Sequence, residues 1–167
     1  PSPRLACPRE AREMNNKAHA HHLRTGRHSL ANQVYLITMV TAQREPVFAD
    51  LHAARRLINV LRDEERLQRA MTWAFVVMPD HLHWLMQLGA SVPLSACVHG
   101  VKSMTSRQLG RSIWQAGFHD RAMRREDDLK AIARYIVANP LRTGLATDLA
   151  SYPHWDARWL AGSHTPL

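Results

Sequence analysis

Trp73-Ala74-Phe75-Val76-Val77-Met78-Pro79-Asp80-His81-Leu82-His83-Trp84 is the stretch on which the reading of this chain turns. Met71 to Val77 is nearly all apolar, as a central strand covered on both faces must be. Pro79-Asp80 breaks the run as a tight turn, and His81 to Leu88 returns as the next strand. Side chains alternate along a strand, so His81 and His83 face the same way, one pleat apart. Two imidazoles at one end of a buried sheet can share a metal ion. In a chain with 11 histidines, a pair of surface or turn residues is an equal alternative.

Working outward, the β-branched and aromatic run Gln33 to Thr41 reads as the first strand, and Arg44 to Phe48 as a loop. Between Ala49 and Arg69, Leu51, Ala54, Ile58 and Leu61 recur at helical spacing, with Arg55, Arg56, Arg62, Asp63 and Glu64 on the remaining circumference. Leu94, Val98, Val101, Thr105 and Leu109 mark a second amphipathic helix. Trp114 to Asp120 reads as a short strand or extended loop. Glu126-Asp127-Asp128 supplies an N-cap and acidic first turn for a third helix, which Pro140 is expected to stop. The tail from Ala146 is expected to be irregular, a lid or brace. A strand, a helix and a close strand pair imply an α+β fold, an antiparallel sheet with helices packed on it. Residues 1–22, without apolar periodicity, are expected to be a mobile tail on a single domain spanning 23–167.

Charge is the informative bulk property. Lys and Arg number 22 against 14 Asp and Glu, giving +8, and arginine's planar fork suits phosphate oxygens. No apolar run approaches the ~20 residues that span a bilayer. The N-terminus has no apolar signal region. Two cysteines, Cys7 and Cys97, suggest neither a disulfide framework nor a cysteine zinc site. No membrane association is expected, and the bacterial cytosol is the expected location.

Tyr135 and Asn139 lie four residues apart on the third helix, separated by about 40° around its axis at the edge of the apolar stripe. Both can therefore face a cleft beside the sheet. Asn139, directly before Pro140, is expected to be the last helical residue. By themselves they read first as a half-buried core tyrosine and a C-capping asparagine, each more common than a catalytic role.

Taken together, His81-Leu82-His83 and a helix bearing Tyr135 and Asn139 resemble the single-tyrosine HUH nucleases, where U is a hydrophobic residue. Within them the similarity is to the REP-associated tyrosine transposases, relatives of insertion-sequence transposases that move as single strands. Leu23-Arg24-Thr25-Gly26-Arg27-His28-Ser29, Arg44-Glu45-Pro46-Val47-Phe48, Trp114-Gln115-Ala116-Gly117-Phe118-His119-Asp120-Arg121 and Arg134 to Leu145 match in order and spacing. The similarity covers roughly residues 23 to 155. His119 stands where the family leads one to expect tyrosine.

The resemblance implies a ferredoxin-like or RRM-like palm with the catalytic tyrosine on a separate helix. It implies cleavage and rejoining of single-stranded DNA, guided by sequence and by hairpins at repetitive extragenic palindromes. Tyr135 would be the nucleophile, forming a 5′-phosphotyrosine intermediate. His81, His83 and Asn139 would hold a divalent cation, Mg²⁺ or Mn²⁺. Asp80 could orient a ligand histidine without itself binding metal, although an Asp after Pro is more often turn chemistry. By the same analogy Arg24, Arg27 and Ser29 would help read DNA, while Lys102, Arg107, Arg121, Arg124 and Arg125 would hold backbone. Trp114 could stack on a base or belong to the core. A monomer is favoured over a dimer that exchanges the tyrosine helix.

The main rival is a non-catalytic nucleic-acid-binding module on the same fold, which leaves both residue pairs as coincidence. A histidine-triad hydrolase needs a further His at position 85, which is Leu. A zinc hydrolase acting through water would not need Tyr135. Replication initiators and relaxases commonly carry a second tyrosine one turn away or a third histidine, and neither is present.

Overall fold

The computed structural model describes residues 29–124 and 127–158, so Arg24, Arg27, Arg125 and the expected tail over 1–22 lie outside the described residues. Strands β1 (Val34–Val40), β2 (Ala70–Met78), β3 (His81–Leu88), β4 (His119–Ala122) and β5 (Trp155–Ala157) form one antiparallel sheet in the order β4-β1-β3-β2-β5. Without β5, a strand order of 4-1-3-2 with a helix after β1 and after β3 is the ferredoxin-like βαββαβ arrangement. The strand carrying both histidines is therefore the middle of the sheet.

Alternation along the strands builds two cores. On one face Tyr35, Ile37 and Met39, Phe75 and Val77, and Leu82, Trp84 and Met86 meet α1 (Leu51–Arg66) and α2 (Leu94–Gln108). The indole N–H of Trp84, fully buried there, donates to Thr72 Oγ1 at 3.0 Å, so no polar atom of that ring is stranded. On the other face Ala74, Val76, Met78 and Leu85 meet Ala133, Ile136 and Val137 of α3 (Leu129–Val137). Each fully buried large aliphatic chain in these layers contributes about 1.5–3 kcal/mol. His81, His83 and Leu85 alternate together, so the histidines belong to the face that α3 covers.

Local chemistry sets the helix ends. Asp50 caps α1 by accepting from Ala53 N at 2.7 Å, and Asp128 caps α3 by accepting from Lys130 N and Ala131 N. α1 is shorter than its apolar pattern suggests because Val47–Ala49 forms a separate 3-10 turn before the cap. Two expectations are corrected. Asn139 does not end α3, which stops at Val137 with Ala138 as its cap. Instead it opens a short helix α4 (Asn139–Arg142) with Pro140 in its first turn. Proline cannot donate to the preceding helix but is tolerated where a new one begins. The tail is not irregular throughout, because Trp155–Ala157 pairs with β2 as an edge strand. Among the described residues no helix is long and apolar enough to cross a membrane.

Candidate active site

His81 and His83 lie between β1 and β2, with His81 opposite Val40 and Met78 and His83 opposite Thr38 and Val76. Their rings meet edge-on, with centroids 4.8 Å apart and planes at 80°. Each has its Nδ1 engaged, on Asp80 Oδ1 at 2.5 Å for His81 and on Thr38 Oγ1 at 2.9 Å for His83. Burial would raise the Asp80 pKa, but hydrogen bonds from His81 and Arg44 hold it below the ordinary carboxylate range. An ionised Asp80 accepts from Nδ1–H, which leaves the lone pair of His81 on Nε2. The Thr38 hydroxyl can accept in the same way from His83. Burial, with His81 adding to it, pushes the His83 pKa down to about 4, so this imidazole is neutral near pH 7.

The turn that carries Asp80 is braced from outside the hairpin. Phe48 N donates to Pro79 O at 2.9 Å, while Thr41 donates to Asp80 O through both its N–H and its hydroxyl. Arg44 Nη1 lies 2.9 Å from Asp80 Oδ2, the outer end of an Arg44–Asp80–His81 chain. Gln43 and Arg44 both hold positive φ, 53° and 54°, a conformation that costs non-glycine residues energy and is kept only where surroundings enforce it. Glu45, the next residue, forms a two-pronged pair with Arg111, at 2.8 and 2.7 Å.

Tyr135 stands on α3, over the same face of the sheet, with 60% of its surface exposed. The guanidinium of Arg142, on α4, sits 4.1 Å from its ring centroid. Asn139 is half-buried at the start of α4, and its backbone carbonyl accepts from Thr143 N and Oγ1. Among the described residues neither Tyr135 nor Asn139 hydrogen-bonds to a histidine of the pair. The structure thus brings the two histidines into contact, with Tyr135 on α3, which packs on the same face of the sheet, and Asn139 at the start of α4. Arg142, Thr38 and Arg44 were missed by the sequence reading. Only strand register reveals Thr38, and only the packing of side chains shows Arg142 lying over the Tyr135 ring.

The remaining predicted contacts divide. Register sets His119 beside Thr38, which is itself beside His83, and sets Arg121 beside Leu36. Directly paired residues share a face, so His119 and Arg121 flank the histidine side of the sheet. Arg121 also pairs with Asp127 at 3.2 Å, as does Arg124 through its backbone N–H at 2.7 Å. Ser29, Arg121 and Arg124 line one pocket with Gln33 and Phe118. Ser29 Oγ accepts from Leu94 N at the start of α2, Arg107 is exposed, and Lys102 donates to the carbonyls of Gln115 and Gly117. Trp114 packs against Phe48, ring centroids 5.3 Å apart, as part of the core. Lys102 and Trp114 therefore hold the chain before β4 in place.

The donor set fits a divalent cation. Two imidazoles whose Nε2 atoms have no partner among the described residues suit a metal with oxygen ligands completing its shell. Among the described residues no group of three His, Cys, Asp and Glu is placed to hold one, so the other donors would be of a different kind, such as the Asn139 amide.

The family model described as "Transposase IS200 like" matches residues 29–139, a span that includes both histidines, Tyr135 and Asn139. The structure is similar to that of a REP-associated tyrosine transposase bound to a REP hairpin. The TM-score is 0.67 at 22% identity, covering 84% of this chain and 87% of that one. A putative transposase from Deinococcus radiodurans R1 matches at a TM-score of 0.49 and 22% identity, over 68% of this chain and 95% of that one. No curated protein matches.

Proposed function

The chain belongs to the IS200-like transposases, and from that premise we propose that it cuts and rejoins single-stranded DNA bearing a hairpin, in the manner of REP-associated tyrosine transposases. The observation that carries the reading is the pair of imidazoles with both Nδ1 atoms tied and, among the described residues, both Nε2 atoms free, on the sheet face beneath the tyrosine helix.

In this reading His81, His83 and Asn139 hold a divalent cation, Mg²⁺ or Mn²⁺. That ion, when bound, supplies a positive charge that fixes and polarises a non-bridging oxygen of the scissile phosphate. Tyr135 Oη attacks phosphorus in line with the bond to O3′. The O–P bond to tyrosine forms as the P–O3′ bond breaks, the phenolic proton passes to solvent, and O3′ leaves and takes up a proton. The product is a 5′-phosphotyrosine with a free 3′-hydroxyl. Because the ester keeps the phosphodiester energy, a 3′-hydroxyl can reverse the step without ATP. Arg142, against the Tyr135 ring, and Arg121, on the histidine side of the sheet, supply positive charge to the strand.

The test is covalency. Protein incubated with Mn²⁺ and a labelled single strand carrying a palindrome from beside its own gene should give an adduct that survives SDS, and Tyr135→Phe should give none. DNA binding without any adduct would instead make the protein a nucleic-acid-binding module on this fold. An undiminished adduct from Tyr135→Phe would move the nucleophile elsewhere.

A further inference from the structure

The outward face of α1 carries charge that the site above does not use. His52, Arg55, Arg56, Asn59, Arg62, Asp63 and Arg66 line a groove closed on one side by Gln108 of α2. At 100° per residue these α1 positions fall within an arc of about 120°, and they span about 21 Å of helix. Arg66 pairs with Asp63 at 3.0 Å, whereas Arg55, Arg56 and Arg62 are exposed and form no ion pair among the described residues.

Two features say what such a stripe meets. The first is its place. α1 packs on the sheet face opposite the histidines, so a strand lying at His81 and His83 cannot also cover it. The start of α1 is nonetheless at the histidine end of the sheet, because Phe48 N, three residues before Leu51, donates to Pro79 O in the turn before His81. DNA leaving the site around that end meets Arg55 and Arg56 first and Arg62 next. The second is its chemistry. Among the described residues the lining holds several guanidiniums but no Phe, Tyr or Trp. Surfaces for single strands commonly offer aromatic rings on which unpaired bases stack. Arginine without such rings suits a backbone whose bases are already stacked in a duplex.

We propose that the outer face of α1 is a second DNA surface, on which Arg55, Arg56 and Arg62 hold the phosphates of a double-stranded hairpin stem. This rests on the DNA-cleaving reading for the origin of the stem, but binding at the stripe needs neither metal nor tyrosine.

The test compares three fluorescein-labelled probes: a blunt hairpin of roughly ten base pairs, about one helical turn, the same hairpin with a single-stranded flank, and an unstructured single strand. The triple variant Arg55→Gln/Arg56→Gln/Arg62→Gln should bind both hairpins at least about tenfold more weakly. Its slope of log affinity against log salt should be shallower by about 3, since each phosphate contact contributes about 0.9. Its affinity for the unstructured strand should stay within about twofold of wild type. Unchanged hairpin affinity and slope would make the stripe a merely solvated face. Equal losses on all three probes would make it a single-strand surface. Both overturn the proposal. A second measurement needs no variant. The blunt hairpin should shield Arg55, Arg56 and Arg62 of the wild-type protein from phenylglyoxal, and reaction at unchanged rates would equally overturn it. Failure of the nuclease reading shows separately, as a missing adduct with stem binding intact.

Discussion

Asp80 Oδ1 lies 2.5 Å from His81 Nδ1, and the other oxygen of the same carboxylate meets Arg44 at 2.9 Å. The carboxylate thus holds the ring with one oxygen and is itself held by the other. Partners of this kind fix the tautomer of a ligand histidine, and losing them typically costs about 10–100-fold in metal affinity. Asp80→Asn should therefore weaken Mn²⁺ binding by about 10–100-fold, measured by calorimetry or by the EPR signal of free Mn²⁺, with no DNA present. Arg44→Ala should shift it in the same direction by less. Binding by Asp80→Asn at wild-type strength would show that the contact is only turn chemistry.

Arg142 should matter to the reaction and little to the fold. Its guanidinium covers the Tyr135 ring at 4.1 Å, and such exposed contacts are worth about 0.5–1 kcal/mol. Arg142→Ala should leave the melting temperature within about 3 °C of wild type. It should slow formation of the phosphotyrosine adduct about tenfold, the effect of roughly 1.4 kcal/mol on a barrier. An adduct rate equal to wild type would reduce Arg142 to a surface contact.

The segment leading into the short edge strand should contribute measurable stability. Tyr152 donates to Val77 O at 2.6 Å, and burial raises its hydroxyl pKa to about 12, so it remains a donor at any ordinary pH. Tyr152→Phe keeps the ring and removes that bond, for a loss of about 1 kcal/mol, or about 2–4 °C in melting temperature. Calorimetry would check it, and an unchanged transition would mean that water replaces the hydroxyl.

These sites differ in how much of them the sequence could disclose. The histidine strand was legible end to end because an apolar run, a Pro-Asp break and strict alternation all describe the same hairpin. β5 was not, since Trp155-Asp156-Ala157 is too short to display a period and becomes a strand only by lying against β2. Pro140 announced a break but not its sense. The same residue can end one helix or open the next, and here it opens α4. Tyr135 and Asn139 were found as a pair at helical spacing, yet they stand on two helical segments. Thr38 could not be found from sequence, because its role depends on lying opposite His83, 45 residues away.

Acid should destabilise the fold in part through His154. Its pKa is lowered from the ordinary 6.5, first by burial and then by the nearby charge of Arg55. The unfolded chain therefore takes up that proton more readily than the folded one. The stabilisation is complete above about pH 6.5 and is lost as pH falls from there through the lower folded value. The melting temperature of wild type should drop between pH 7.5 and 5.5 by more than that of His154→Gln. Parallel curves would show that His154 titrates alike in both states.

Cys97 should be inert in the folded protein. Its thiol donates to Glu64 Oε2 at 3.5 Å between α1 and α2, and burial followed by the Glu64 charge pushes its pKa up to about 12. Since the thiolate is the reactive form, iodoacetamide at pH 8 should leave Cys97 unmodified in native protein and label it once denaturant is added. Glu64 is itself buried, and its other oxygen lies 3.5 Å from Arg69. Arg69→Ala would leave that carboxylate with the thiol as its one remaining partner among the described residues. The expected loss is about 1–3 kcal/mol, the usual penalty for stranding a buried polar group. Glu64→Gln in the same background should restore part of it, because a neutral amide costs less to bury than a charge. If the double variant is no more stable than Arg69→Ala alone, the guanidinium acts through packing and not through its charge.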